Sequence, residues 1–229
     1  MENTKSNILD ELLNDRIKKN IIIEIFGPNG TGKTHFLIDI ILNFLGSGTV
    51  LFYDTTGEFR PERVSEIIKS RNLKPEILEH LKIGRARNIS EQINSISKIR
   101  GFDNLSLIVI DNITDLFSFE YGKKENSIQK HNLFMKYMHD LSFLAIEKRI
   151  PIIITNQIRQ IDDHVIENLF NSINHFIQLK IKLRKNGMMY EGEIFPSFFT
   201  TKKFTYSIDS TGIVLKSVSY THLTLPTKA

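Results

Sequence analysis

The 229-residue chain contains no cysteine and no tryptophan. The missing thiols exclude disulfide frameworks, thiolate zinc sites, iron–sulfur clusters and cysteine nucleophiles, so any chemistry must use oxygen, nitrogen or bound phosphate. Long apolar runs are missing as well. Stretches such as Ile152 to Ile154 fall far short of the roughly 18 residues a membrane span needs, which excludes an integral helical membrane protein. The first twenty residues carry four acids, Glu2, Asp10, Glu11 and Asp15, and no basic block ahead of an apolar core, so no targeting segment is read there and a cytoplasmic chain is expected. Charge of one sign is not in large excess: 30 basic residues face 26 acidic ones, a balance that permits a polyanionic partner without demanding one. The seven histidines are scattered without metal-ligand spacing.

What is present is an ordinary globular composition, 41% hydrophobic and 24% charged. The length suits one large domain or a domain with small additions. The end of the chain stands apart: Val218 to Thr227 reads VSYTHLTLPT, which resembles the in-frame translation of a sequencing-library adapter. The expected organisation is therefore a core domain over residues 1–217 and a non-native tail over 218–229.

Within the core, Ile21 to Gly27 is a short β-branched run ending in glycine, which predicts a buried strand. A glycine-rich turn follows, then apolar residues in helical spacing at Phe36, Leu37, Ile40, Ile41 and Phe44. The alternation continues with strand Val50–Tyr53, helix Pro61–Arg71, strand Leu81–Ile83, helix Ser90–Arg100, strand Leu105–Ile110, helix Ser127–Lys148 and strand Ile150–Thr155. Strands separated by helices call for right-handed crossovers, giving an α/β fold with a mostly parallel sheet flanked by helices. After Asn174 the pattern changes to alternation of Leu179, Ile181 and Leu183 with Lys180, Lys182 and Arg184, which predicts antiparallel strands from about Phe176 with a turn near Asn186 and Gly187.

The segment Gly27-Pro28-Asn29-Gly30-Thr31-Gly32-Lys33-Thr34 satisfies G-x-x-x-x-G-K-[ST] directly between a strand and a helix, the context a phosphate-binding loop requires. Glycines let backbone N–H groups converge on phosphate oxygens, and the following helix aims its positive end at them. Lys33 would reach the β and γ phosphates and Thr34 would offer its hydroxyl to Mg²⁺. Asp111, ending the apolar strand LSLIVID, either caps a turn or supplies the carboxylate of that metal site; beside a phosphate loop the second reading is preferred.

At this level of detail the chain resembles the ATPase core of the RecA-type recombinases, in their archaeal and eukaryotic branch, from Ser6 to about Ile213. The resemblance rests on LDELL at Leu9 to Leu13, the phosphate loop, YDTTGEFRPERV at Tyr53 to Val64, IGRARNISEQ at Ile83 to Gln92, LIVIDNITDLF at Leu107 to Phe117 and IIITNQIR at Ile152 to Arg159. It implies a RecA-like P-loop fold with ATP and Mg²⁺ as cofactors, Arg63 beside the adenine, and Gln157 as a γ-phosphate sensor next to a DNA-contacting loop. Lys123 and Lys124 would fall in the first DNA loop, and Arg159 at the start of the second.

Departures from the family pattern shape the functional expectation. Active members carry a glutamate where this chain has Thr56, and Glu58, two residues on, is the candidate to take its place. A positioned base contributes about 10² to 10⁴ in rate, so tight nucleotide binding with weak or absent hydrolysis is expected. The second DNA loop, up to the strand near Phe176, lacks the family's glycines, and residues 159–175 set one Arg against Asp162, Asp163 and Glu167. Single-stranded DNA binding should therefore be weak, unless the Lys180, Lys182 and Arg184 face, otherwise a solvated edge, contributes. No Phe precedes Phe26, so the family's polymerisation hook is not found upstream. These features resemble a short accessory paralog of the RadB type, acting in homologous recombination and repair beside a recombinase or other repair protein. The alternative is a KaiC-like, non-catalytic ATP-sensing module acting on protein partners.

Overall fold

In a computed structural model of the chain, residues 19–121, 127–161, 164–167, 169–196 and 200–222 are described. The phosphate loop lies between strand β1 (Ile22–Gly27) and helix α1 (Lys33–Phe44). Then follow β2 (Thr49–Asp54), α2 (Pro61–Ser70), β3 (Leu81–Arg85), α3 (Ile89–Arg100), β4 (Leu105–Asp111), α4 (Asp115–Glu120), α5 (Ser127–Lys148) and β5 (Ile152–Ile161). Strand β6 (His164–Glu167) and helix α6 (Phe170–Ile173) precede four strands, β7 (Leu179–Asn186), β8 (Met189–Pro196), β9 (Thr200–Asp209) and β10 (Gly212–His222).

The sheet order is β10-β9-β8-β7-β1-β5-β4-β2-β3. From β7 to β3 neighbours are parallel, and β8, β9 and β10 add antiparallel hairpins, as the change of pattern after Asn174 predicts. Gly187 has φ of 60° in the two-residue turn joining β7 to β8, a value the tight hairpin turns demand and glycine supplies without strain.

Because the central strands are covered on both faces, β1 is buried at every position. Its alternate side chains divide between two cores. Ile23 and Ile25 join Phe36, Leu37, Ile40 and Ile41 of α1 and Val64, Ile67 and Ile68 of α2. Ile22 faces the other way, with Ile96 and Ile99 of α3, Leu116 and Phe117 of α4, and Phe134, Tyr137, Met138 and Leu141 of α5. Helix α1 is nearly engulfed, and even Asp39 is buried; Arg71 satisfies it with an ion pair and also donates from Nε to the Thr211 carbonyl at 2.7 Å.

Three expectations need correction. The Lys180, Lys182 and Arg184 side of β7 is not a solvated edge, because β7 lies between β1 and β8. Lys180 pairs at 3.0 Å with Glu24, which is fully buried, and Arg184 reaches Glu191 at 3.3 Å and Glu193 at 3.5 Å. Beyond Gln157 the chain does not leave the sheet as a loop: β5 continues to Ile161 and pairs with β6 from Ile158↔Glu167 to Ile161↔His164, as the β-branched Ile158, Ile161, Val165 and Ile166 favour. The next strand begins at Leu179, not near Phe176, whose amide closes a turn on the Ile173 carbonyl at 2.9 Å.

Candidate nucleotide site

Parallel pairing brings the carboxyl ends of the central strands into line. Gly27 is level with Gln157, and Asp54 with Asp111. This edge of an open α/β sheet is where ligands bind.

The loop between β1 and α1 carries three glycines with positive φ, Gly27, Gly30 and Gly32. Gly32 has φ of 82°, and a Cβ there would lie 2.4 Å from Cδ1 of Ile208. At Gly27 a Cβ would lie 2.1 Å from the Leu183 carbonyl oxygen. Thr31 donates through its hydroxyl to the Pro28 carbonyl at 2.8 Å and accepts through its own carbonyl from the Tyr206 hydroxyl at 2.6 Å. The strand carrying Tyr206 and Ile208 thus braces the phosphate loop from outside. Tyr206 in turn stacks on Tyr190 with ring centroids 5.3 Å apart.

Lys33, the first residue of α1, folds back so that Nζ donates to the carbonyls of Gly27 and Pro28, each at 2.9 Å. Its pKa is lowered, chiefly by burial, and the nearby carboxylates Asp111, Asp115 and Glu58 oppose that shift. Thr34 follows it, half-buried. Asp111 is pushed up to about 6, mainly by burial and further by Asp54 and Asp115, while a hydrogen bond from the Thr155 hydroxyl and the charge of Lys33 pull the other way. A half-buried carboxylate with its pKa raised to about 6, close to a lysine and hydrogen-bonded by a hydroxyl, is a fit donor for a hard, oxygen-seeking cation. Among the described residues no three His, Cys, Asp or Glu converge to hold a metal by themselves.

Around this centre the other predicted residues fall as follows. Thr56 donates from both its amide and its hydroxyl to Oδ1 of Asp54 at 2.9 Å, and the Gly57 amide adds a bond at 2.8 Å. The turn is therefore organised by Asp54. Glu58 is exposed, its amide bound to the Thr56 hydroxyl at 3.1 Å. Arg63 is exposed on the first turn of α2, close enough to His35 to help burial lower that histidine's pKa. Gln157 donates to Oδ2 of Asp115 at 3.3 Å. Lys123, Lys124 and the LDELL segment lie outside the described residues; Arg159 is on β5 opposite Ile166.

Besides the Tyr206 brace, sequence reasoning missed two features. One is Asp115, four residues beyond Asp111 and half-buried, which its position at the start of a short helix would have marked only as a helix-capping acid. The other is a buried polar chain behind the site. Thr55 bonds the amide and carbonyl of Asn112 at 2.8 and 2.5 Å; the Asn112 side chain accepts from the Thr114 amide at 2.9 Å, Thr114 donates to Asn156 at 2.9 Å, and Asn156 donates to Glu24 at 2.9 Å. The unusual glutamate in the apolar run IIIEIFG was the available signal for it.

Comparison with known proteins agrees with this geometry. The Rad51 family model matches residues 2–175. The "DNA repair and recombination protein RadB" of Pyrococcus horikoshii is 31% identical over 77% of this chain and 79% of that protein. That of Methanocaldococcus jannaschii is 36% identical over 67% of this chain and 73% of its own length. The "DNA repair and recombination protein RadA" of Aeropyrum pernix is 32% identical over 68% of this chain but only 52% of its own. With its phosphate loop, strand-end aspartate and TNQ strand aligned on one sheet edge, and a match running through all three, the chain belongs to the Rad51 family.

Proposed function

We propose that the protein is a cytoplasmic RadB-like accessory member of the family that binds ATP with Mg²⁺ and assists homologous recombination and repair, with weak hydrolysis of its own. The observation that carries the proposal is the closeness of Lys33, in the Gly27–Thr34 loop, to Asp111, combined with Thr56 at the position where a catalytic carboxylate is expected. Mg-ATP, when bound, would supply the reactive phosphoryl group and a cation to offset its charge. For the protein's part, Lys33 exchanges the carbonyls of Gly27 and Pro28 for phosphate oxygens, and the loop amides face the same anion. Thr34 and Asp111 hold the cation, Arg63 lies against the base, and Gln157 reads the terminal phosphate.

Weak turnover is supported by Thr56 standing where a carboxylate is expected, since a neutral alcohol is far too weak a base to take a proton from water near pH 7, and its hydroxyl is already donating to Asp54 and accepting from the Glu58 amide. Weak DNA binding is supported by the pairing of Lys180 and Arg184 with glutamates, which leaves β7 less charge to offer phosphates. A recombinase or another repair protein is then the principal partner. The named relatives favour this reading over the KaiC-like alternative, which has no observation of its own behind it.

The deciding experiment is a nucleotide titration with and without Mg²⁺, followed by steady-state hydrolysis with and without single-stranded DNA. Mg²⁺-dependent binding abolished by Lys33→Ala, with slow turnover, is the expected result. Robust DNA-stimulated turnover would refute the weak-hydrolysis reading, and affinity for DNA that is strong at physiological salt would refute the accessory one.

A further inference from the structure

We infer that Thr114 is a positioning residue for the nucleotide site: its buried hydroxyl ties the segment that follows Asp111 to the strand that carries Gln157, and so sets where Gln157 meets the terminal phosphate. The inference rests on the nucleotide reading above and deepens it.

Three residues of the site each have a member of the buried polar chain as their immediate neighbour in sequence: Thr55 beside Thr56, Asn112 beside Asp111, and Asn156 beside Gln157. Neighbours on a strand present opposite faces, so whatever holds Asn156 from behind decides where Gln157 stands in front. Thr55, Asn112, Thr114 and Asn156 are all buried.

Thr114 is where the two halves of this chain meet. It occupies the N-cap of α4, where a threonine hydroxyl ordinarily accepts an amide of the first helical turn, and it makes no such bond. The hydroxyl lies instead 2.9 Å from Oδ1 of Asn156 and 3.1 Å from Oδ1 of Asn112. It has one proton to give, and Asn112 Oδ1 already receives the Thr114 amide at 2.9 Å, so the shorter contact, to Asn156, is the one it serves. Asn156 cannot turn its amide group over without losing the bond that its Nδ2 makes to Glu24 at 2.9 Å. The residue after Thr114, Asp115, accepts from Gln157 at 3.3 Å. Consecutive residues at the start of α4 thus hold consecutive residues of β5. The phosphate loop has its own support on the far side of β1, where Tyr206 bonds Thr31 and Ile208 packs on Gly32. Loss of the Thr114 hydroxyl should therefore disturb recognition of the terminal phosphate more than that of the phosphates cradled by the loop.

The test compares Thr114→Val, which exchanges the hydroxyl for a methyl group of similar size, with Thr114→Ser, which keeps the hydroxyl, by titrating ATPγS and ADP separately in Mg²⁺. The valine variant should lose roughly threefold to tenfold in ATPγS affinity with ADP changed less than twofold, and the serine variant should retain the parent ratio. Repeating the valine substitution in a Gln157→Ala background should leave the ATPγS-to-ADP ratio where Gln157→Ala alone puts it, because the effect travels through Gln157. Thr114→Ala, with the same expectation, replaces the valine variant if a thermal melt shows that valine prevents folding. An unchanged ratio in the folded variant, or a serine variant as impaired as the valine one, overturns the role of the hydroxyl. A ratio that still shifts without the Gln157 side chain overturns the route through Gln157. Failure of the folded parent to bind either nucleotide would instead overturn the nucleotide reading on which the inference stands.

Discussion

Replacing Tyr206 by Phe deletes one hydroxyl and keeps the ring stacked on Tyr190, so the variant isolates a single bond between the antiparallel strands and the phosphate loop. That hydroxyl donates to the Thr31 carbonyl at 2.6 Å across 175 residues of sequence. Tyr206 is buried, and burial together with the neighbouring Tyr190 raises its pKa well above the ordinary tyrosine value, so the phenol stays a donor throughout the accessible pH range. A net hydrogen bond contributes about 0.5–1.5 kcal/mol, and a carbonyl left buried without a partner costs about 1–3 kcal/mol. The expected loss is therefore about 1–3 kcal/mol. Ile208 still packs on Gly32 in the variant, so the loop keeps its path but not its exact pitch. Part of the loss should appear in urea unfolding of the nucleotide-free protein, and part as a several-fold weaker Kd for Mg-ATP, because bound phosphate needs the loop amides already converged. Fluorescent-nucleotide titration alongside urea melts reads both. If neither the midpoint nor the Kd moves, the bracing argument is wrong; if the midpoint falls and the Kd does not, the bond serves the fold alone.

Other outcomes follow from the same geometry. Asp111→Asn should stabilise the nucleotide-free protein near neutral pH: its folded pKa of about 6 lies above the ordinary 3.8, so its contribution is fully present below about pH 4 and is lost as pH rises through 6, a difference of at most about 3 kcal/mol. The same variant should lose Mg²⁺-dependent nucleotide affinity, and thermal melts at pH 4 and 8 with a titration check both signs. Arg71→Ala strands the buried Asp39 and removes the bond to Thr211, so about 3 kcal/mol should be lost in urea unfolding. Thr56→Glu should raise ATP turnover if the family geometry holds at this turn, and an unchanged rate in a stably folded variant would count against it. Cutting the chain after Ser217 removes the half-buried Val218 and its pairing with Phe204, which should cost about 1–2 kcal/mol in a melt and leave nucleotide affinity untouched.

The parallel half of the fold was legible because its strands are short β-branched runs and its helices carry apolar residues at helical spacing, both strictly local signals. The phosphate loop was legible for a related reason: its function depends on backbone shape, and glycine spacing encodes that shape directly. The place of Asp111 could be read because LSLIVID is an apolar strand with a single acid at its end. Tyr206 was not legible, since nothing near it in sequence distinguishes a tyrosine that braces a loop from one that fills a core. The Leu-Lys alternation of β7 misled because it looks the same whether the lysines meet water or a buried glutamate on the next strand. The β5–β6 arm escaped because no glycine marks its turn and its acids read as loop residues.

The Glu24–Lys180 pair lies across the join between β1 and β7, where the parallel sheet meets its antiparallel extension. Adjacent strands of Ile and Leu could slide past one another at little cost in apolar burial. Here a slip of one residue would turn Lys180 to the α1 side, into the cluster of Ile23 and Leu37, and leave the fully buried Glu24 without its cation. The join is thus keyed like a lock with one admissible position, and because β7 carries the hairpins that lead to Tyr206, that single setting also fixes the distance between Tyr206 and the loop it braces.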